Sequence, residues 1–432
     1  MIWNETMECM SRDQMSRLQG ERLRKTVSRV YHNVPFYRKK MQELGVEPGD
    51  INGIEDIDKL PFTTKADLRD NYPYGLFAIP KSEIVRLHAS SGTTGKPTVV
   101  GHTRKDIDMF AENVARSICS AEGSRDDIVQ VAYGYGLFTG GLGLHYGAER
   151  LGAAVVPISG GNTEKQLTLL QDFGSTILAC TPSYALYLGE ALAESGVGPD
   201  DIALRIGIFG AEPWTENMRG QIEQLLGIKA HDIYGLSEIM GPGVSCSCQY
   251  RDGLHIAEDH FYPEIINPVT FERLPDGETG ELVFTHLTKE AMPLLRYRTR
   301  DLSSLNHEVC RCGRSNVRME RIKGRSDDML IIRGVNVFPS QVESVLLSIP
   351  EAKPYYMLIV DRKGAMDTLE IQVEIEDKYF SDEISQLEEI RKKIKHKVEN
   401  VLSVSVMITL VEHKTIKRSE GKAQRVIDNR KL

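Results

Sequence analysis

This sequence has no apolar run near the roughly 20 residues that a membrane span requires. Its start, "MIWNETMECMSRDQMSRLQGERLRK", is broken by acids and bases and does not read as a secretory leader. Nor is there a basic excess: 53 Lys and Arg face 61 Asp and Glu, for a formal net charge of -8. That balance argues against a general nucleic-acid binder. Internal repeats and low-complexity tracts are missing, so nothing points to a repeat architecture. Cysteine is scarce, with 7 in 432 residues. A cytoplasmic protein with reduced thiols is therefore expected, and clustered cysteines there suggest metal before disulfide.

What the chain has is length and apolar content. At 432 residues and 41% hydrophobic it can build two or three domains with sizeable cores. One stretch stands out for its small residues: "ASSGTTGKPTVV", Ala89 to Val100. Glycines admit close backbone approach, and N–H groups, hydroxyls and an ammonium all favour oxyanions, so such a run can cradle phosphate. It is not a Walker A loop. Gly92 and Gly95 enclose only Thr93 and Thr94, and Pro97 follows Lys96 where that motif wants Ser or Thr.

Helical apolar spacing over 11–45 gives way to strand-like "EIVRLHAS" and "TVVGHT" on either side of the loop. From about 106 to 330, β-rich runs such as "DIVQVAYGYG", "AAVVPIS", "STILACT" and "LRIGIFGAE" alternate with helical stretches. Strands separated by helices indicate a mostly parallel α/β sheet. After "RMERIKGRSDD" the pattern changes to short strands around two helices, "SQVESVLLSI" and "ISQLEEIRKKIKHKVENVL", which reads as a small α+β domain. The chain closes on a polar, basic segment, "EHKTIKRSEGKAQRVIDNRKL".

Five motifs follow in order: "SSGTTGKP", "YGLSE" (Tyr234 to Glu238), "YRTRD" (Tyr297 to Asp301), "GRSDDMLIIRGVNVFP" (Gly324 to Pro339) and "SEGKAQR" (Ser419 to Arg425). Together they resemble the adenylate-forming superfamily of acyl-CoA ligases, peptide-synthetase adenylation domains and luciferases. Within it the chain is most similar to phenylacetate–CoA ligases, through "LPFTTKADLRDNYPYGLFA", "AYGYGLFTGGLGLHYGAERLGA" and "EDHFYPEI". The resemblance covers nearly the whole chain. It implies an AMP-binding domain over 1–325, a small mobile α+β domain over 326–432, and a hinge near Asp327. The implied reaction is attack of an aryl acid on the α-phosphorus of ATP, then displacement of AMP by the thiol of coenzyme A.

The resemblance also implies roles. Ser90, Ser91, Gly92, Thr93, Thr94 and Lys96 would hold the β- and γ-phosphates. Gly210, Ala211 and Glu212 ("GAE") would edge the adenine, and Tyr234 would stack on its face beside Gly235, which lets the backbone come close. Ser237 would bond the α-phosphate and Glu238 would hold Mg²⁺. Asp301 offers two carboxylate oxygens to the ribose diol, and Arg325 would reach ribose or phosphate. Lys422 would bridge the acid's carboxylate and the α-phosphate, a task suited to a compact ammonium. Rotation at Asp327 would exchange Lys422 for "RGVNVFP", with Gly334 and Val335 lining a pantetheine tunnel. Tyr135 and Phe138, in "YGYGLF", are the expected walls of the acyl pocket. Arg298 and Arg300 read as a salt-bridged face without chemistry.

Cys246 and Cys248 make one C-x-C and Cys310 and Cys312 another, with His255 in "GLHIAED". Four such ligands suit a tetrahedral, structural Zn²⁺. The family pattern places its cysteine at 248, so the expected set is Cys248, His255, Cys310 and Cys312, with Cys246 in place of His255 as the alternative. Cys9, Cys119 and Cys180 read as buried apolar residues.

The partners expected are small molecules (aryl acid, ATP, coenzyme A), with no nucleic acid and no membrane; a homodimer is left open. Two other readings compete. A sister enzyme would adenylylate a coenzyme rather than make a thioester, which CoA consumption distinguishes. A binding module that kept the fold without the chemistry would show no ATP–pyrophosphate exchange.

Overall fold

A computed structural model describes residues 1–90, 97–326, 330–333, 335–363, 366–379, 384–402, 404–418 and 425–430. Contacts divide the chain into two compact units. The first comprises Met1–Cys180, Asp200–Ala211 and Ile228–Arg321; the second comprises Thr181–Pro199, Glu212–Gly227 and Ile322–Leu432.

A nine-stranded mixed sheet carries the first unit. Ala154–Val156, Ile128–Val131, Ile177–Cys180, Ile206–Gly210 and Lys229–Tyr234 run parallel. Ser245–Ser247, Leu254–Ile256, Arg318–Met319 and Leu305–Asn306 continue the sheet antiparallel. Ile177–Cys180 and Ile206–Gly210 are buried at every position, which is why they read as unbroken apolar runs rather than as alternation. Parallel neighbours need crossovers, and helices such as Thr139–Leu151 and Thr163–Asp172 supply them. All five parallel strands end on one edge. "YGYGLF", "GAE" and "YGLSE" each lie at or just beyond such an end, where open α/β sheets place their ligands.

One smaller sheet precedes these strands in sequence and another is inserted among them. Phe261–Ile266, Gly280–His286 and Tyr297–Ser303 pair antiparallel. Arg86–Ser90 and Thr98–His102 form an antiparallel ribbon with Ser90 opposite Thr98. Residues 91–96 between them, and with them Ser91, Gly92, Thr93, Thr94 and Lys96, lie outside the described residues. The helical spacing over 11–45 resolves into Arg12–Asn33, capped by the Ser11 hydroxyl, and Pro35–Glu43. The break falls at Val34, held extended at φ -117° and ψ 102° because a proline follows it.

In the second unit, Met407–Val411, Met366–Ile375, Ala352–Lys363 and Val426–Asp428 form a four-stranded sheet in that order. Helices Pro339–Leu346 and Ile384–Leu402 belong to the same unit, with a core that includes Ile332, Val342, Leu346, Leu358, Ile371, Val373, Ile394 and Val398. The α/β architecture with a large sheet domain and a small α+β domain agrees with the expectation. Within the basic tail a short strand forms. Val426–Asp428 pairs in parallel with Ala352–Lys363, and Arg430 bonds Asp367 and Asp428. Three residues between charged flanks were too short a signal to see. Among the described residues no helix is long and apolar enough to cross a membrane.

Candidate functional site

Gly210 closes its strand where an added Cβ would meet Ile233 O at 2.0 Å, so only glycine fits. Ala211 then takes a left-handed φ of 72°, a conformation that alanine rarely adopts. Gly235 is tighter still. A Cβ there would stand 1.7 Å from Gly241 O, so this glycine serves the closure of its own turn. In that turn the Leu236 carbonyl accepts from Ile239, Met240 and Gly241 N–H at 3.1, 2.9 and 2.8 Å. The strand therefore runs into a compact turn, which carries Ser237 and Glu238.

Both side chains are buried and held from outside the turn. Ser237 and Thr139 share a hydrogen bond of 3.1 Å between their hydroxyls. Ser90 donates to Glu238 Oε1 at 3.1 Å, and Lys65 Nζ stands 3.6 Å from the same oxygen. Oε2 of this 4%-exposed carboxylate has no hydrogen-bond partner among the described residues, which fits an oxygen ligand for a hard cation. Tyr234 donates to Asp301 Oδ2 at 2.7 Å, so the expected adenine and ribose residues adjoin. Ser90, Tyr234, Ser237, Glu238 and Asp301 thus converge from three sheets of the first unit.

Other expected residues are placed as follows. Arg298 pairs with Glu281 at 2.7 Å. Tyr135 OH lies 3.2 Å from His145 Nδ1, and Phe138 is 43% exposed. Glu212, in the second unit, accepts from Ser183 N–H at 2.8 Å near the start of helix Pro182–Glu194. Arg325 also belongs to the second unit, as does Val335 in the hairpin Leu330–Ile332 and Val335–Val337. Asp327, Gly334 and Lys422 lie outside the described residues.

Cys248, His255, Cys310 and Cys312 come together with ligand atoms all within 4.8 Å of one another. Cys248 Sγ lies 3.8 Å from Cys310 Sγ, and Cys312 Sγ lies 3.4 Å from His255 Nε2. Ligands around a tetrahedral zinc stand about 3.4–3.8 Å apart, so the donor set fits that ion. A hydrogen bond from Cys248 and the nearby imidazole hold the Cys312 thiol far below the ordinary range, while the same bond and burial push Cys248 up. His255 bonding lowers Cys310. Burial opposes the charged form of His255, but Cys310 and Cys312 outweigh it and the imidazole is raised. Arg314, itself buried, donates to Cys312 Sγ at 3.6 Å and pairs with Glu8, so the amino-terminal segment orients one ligand. Cys246 sits across from His255 in the strand register but is not among the four.

Residues 30–287 match the AMP-binding enzyme family, and 334–430 match the AMP-binding enzyme C-terminal domain. A phenylacetate-coenzyme A ligase of Thermus thermophilus is 52% identical over 445 aligned positions, covering 100% of each chain. One from Aromatoleum evansii is 54% identical, covering 99% of this chain and 97% of its own. The chain belongs to the phenylacetate–CoA ligase family of AMP-binding enzymes. A solved 2-hydroxyisobutyryl-CoA ligase, held in the postadenylation state with an acyl-AMP, is 30% identical with a TM-score of 0.92, covering 98% of this chain and 92% of that one.

In this family member, sequence reasoning passed over Lys65 and Thr139. Lys65 lies within "LPFTTKADLRDNYP" as the first residue of a helix capped by Thr64, a setting that masks a site role. Thr139 opens helix Thr139–Leu151 directly after "YGYGLF", and that position was its only signal.

Proposed function

We propose that this protein is an AMP-forming acid–thiol ligase that joins phenylacetate to coenzyme A through phenylacetyl-adenylate. The names of its 52–54% identical relatives support the acid and the thiol. The observation that carries the reading is the buried convergence of Ser90, Ser237 and Glu238 beside the Tyr234–Asp301 pair, at the end of a parallel strand. Adenylation brings a carboxylate onto a polyphosphate, two anions that water would keep apart.

The loop from Ser90 through Ser91, Gly92, Thr93, Thr94 and Lys96 holds the β- and γ-phosphates. Gly210, Ala211 and Glu212 edge the adenine, Tyr234 and Gly235 take its face, and Asp301 takes the ribose. Ser237 bonds the α-phosphate. Mg²⁺, held by Glu238, supplies charge neutralisation at the phosphate oxygens. Tyr135 and Phe138 wall the aryl group, and Arg325 contacts ribose or phosphate. The boundary between 1–325 and 326–432 acts as a hinge at Asp327. Lys422 serves adenylation, and Gly334 and Val335 serve the thiol arm. Cys248, His255, Cys310 and Cys312 hold a structural zinc. ATP–pyrophosphate exchange that requires phenylacetate but not coenzyme A tests the first half-reaction; an exchange indifferent to the acid overturns the reading.

A further inference from the structure

Lys289 is 1% exposed, yet among the described residues its ammonium forms no ion pair and one hydrogen bond, to Ile239 O at 3.0 Å. An ammonium has three donors, and a buried charge with one acceptor is costly to keep. That cost marks a residue with work beyond packing. The same carbonyl accepts from His286 Nε2 at 2.6 Å, and Leu294 N–H donates to His286 Nδ1 at 2.8 Å, so the Nε2–H tautomer is fixed. Ile239 directly follows Glu238. Two buried donors, one of them charged, thus clamp the carbonyl of the residue that follows the carboxylate-bearing Glu238.

The surroundings bear on the charge itself. The carboxylates whose fields reach Lys289 are Asp106 and Glu238. Asp106 accepts from the N–H groups of Thr103, Glu290 and Ala291 rather than from Lys289. The facing imidazoles of His88, His102 and His286 are all depressed, chiefly by burial, with the Lys289 charge contributing, and so stay neutral. Among the described residues Lys289 is therefore a buried cation behind Glu238 that feels the Asp106 and Glu238 charges without an ion-pair contact to either.

We propose that Lys289 is a positioning residue for adenylation: with His286 it locks the Ile239 carbonyl, and its buried charge fixes Glu238 and favours the incoming polyphosphate. This rests on the reading that Glu238 serves adenylation. Burial brings the Lys289 ammonium down to about 8, so the charged form is lost as pH rises through that value. Exchange should then show an alkaline limb near pH 8.

The test measures phenylacetate-dependent pyrophosphate exchange from pH 6.5 to 9.5 for the parent, Lys289→Met, Lys289→Gln and Glu238→Gln. Thioester formation from synthetic phenylacetyl-AMP is followed in parallel. Support is a loss of exchange on the order of 10–100-fold in both Lys289 variants, with thioester formation kept within about threefold and the alkaline limb gone. Parent-like exchange, equal loss of both half-reactions in a folded variant, or an unchanged limb overturns the proposal. Should neither variant fold, His286→Gln, which alters the other donor to Ile239 O, decides: a selective loss of exchange supports the proposal and parent-like exchange overturns it. Glu238→Gln separates the levels, because full exchange there refutes the site reading itself.

Discussion

Replacing Gly235 with alanine sets an ideal Cβ 1.7 Å from Gly241 O, 2.5 Å from its carbonyl carbon and 3.0 Å from Pro242 Cα. Real Cβ contacts do not fall below 3.0 Å, so the two backbone segments must separate by at least about 1.3 Å (3.0 less 1.7). No flexible side chain can yield here, since every contacting atom is backbone. The segment that must move is the turn closed by three N–H groups on Leu236 O, and it carries both Ser237 and Glu238. Overpacking of this kind costs about 1–3 kcal/mol of stability. Displacing catalytic groups on the order of 1 Å costs about 10²-fold in rate. Gly235→Ala should therefore fold with a lowered melting temperature and lose roughly a hundredfold or more in pyrophosphate exchange. Exchange within about threefold of the parent would refute the claim that this turn must sit where it does.

Lys422→Ala should abolish pyrophosphate exchange while sparing thioester formation from preformed phenylacetyl-AMP; equal loss of both removes the role assigned to it. Asp327→Pro, which fixes φ near -65°, should complete one half-reaction and stall at the other, and normal turnover would remove Asp327 as the pivot. Protein purified without chelators should carry about one zinc, and Cys310→Ser with Cys312→Ser should release it and lower the melting temperature; metal analysis showing none contradicts the cluster reading. In acid, Asp259 and His260 should both cost stability. Burial depresses His260 to about 4, so the folded state resists its protonation and stability is lost as pH falls from 6.5 to 4. Although burial raises Asp259, His260 and Arg116 bring it down to about 2. Its contribution, carried by Arg116 where His260 is neutral, is thus present above pH ~4 and lost as pH falls towards 2. Urea midpoints that stay flat from pH 6.5 to 3 would contradict both.

The sequence was informative wherever one local pattern dictated one structure. The apolar runs at Ile177–Cys180 and Ile206–Gly210 left no reading but buried strands, and "ISQLEEIRKKIKHKVENVL" spans its helix from end to end. The short strand Val426–Asp428 was hidden because its pairing depends on a partner some seventy residues earlier in the chain. The same distance in sequence hid the contacts of the site. Nothing local tells that Lys65 faces Glu238, or that Lys289 reaches Ile239 O. Two C-x-C pairs suggested a metal, but the neighbours of Cys312 follow from strand register and from the packing of Arg314 against Glu8. Gly235 was read only as room for a nucleotide; that its turn also needs room for Gly241 O rests on a contact six residues on.

The most direct measurement is AMP release with and without coenzyme A across phenylacetate, indoleacetate, benzoate and cinnamate. The account predicts AMP and thioester formed in equal amounts, both dependent on coenzyme A, with phenylacetate giving the highest kcat/KM. AMP release without thioester, or no preference for phenylacetate over the other acids, would contradict it.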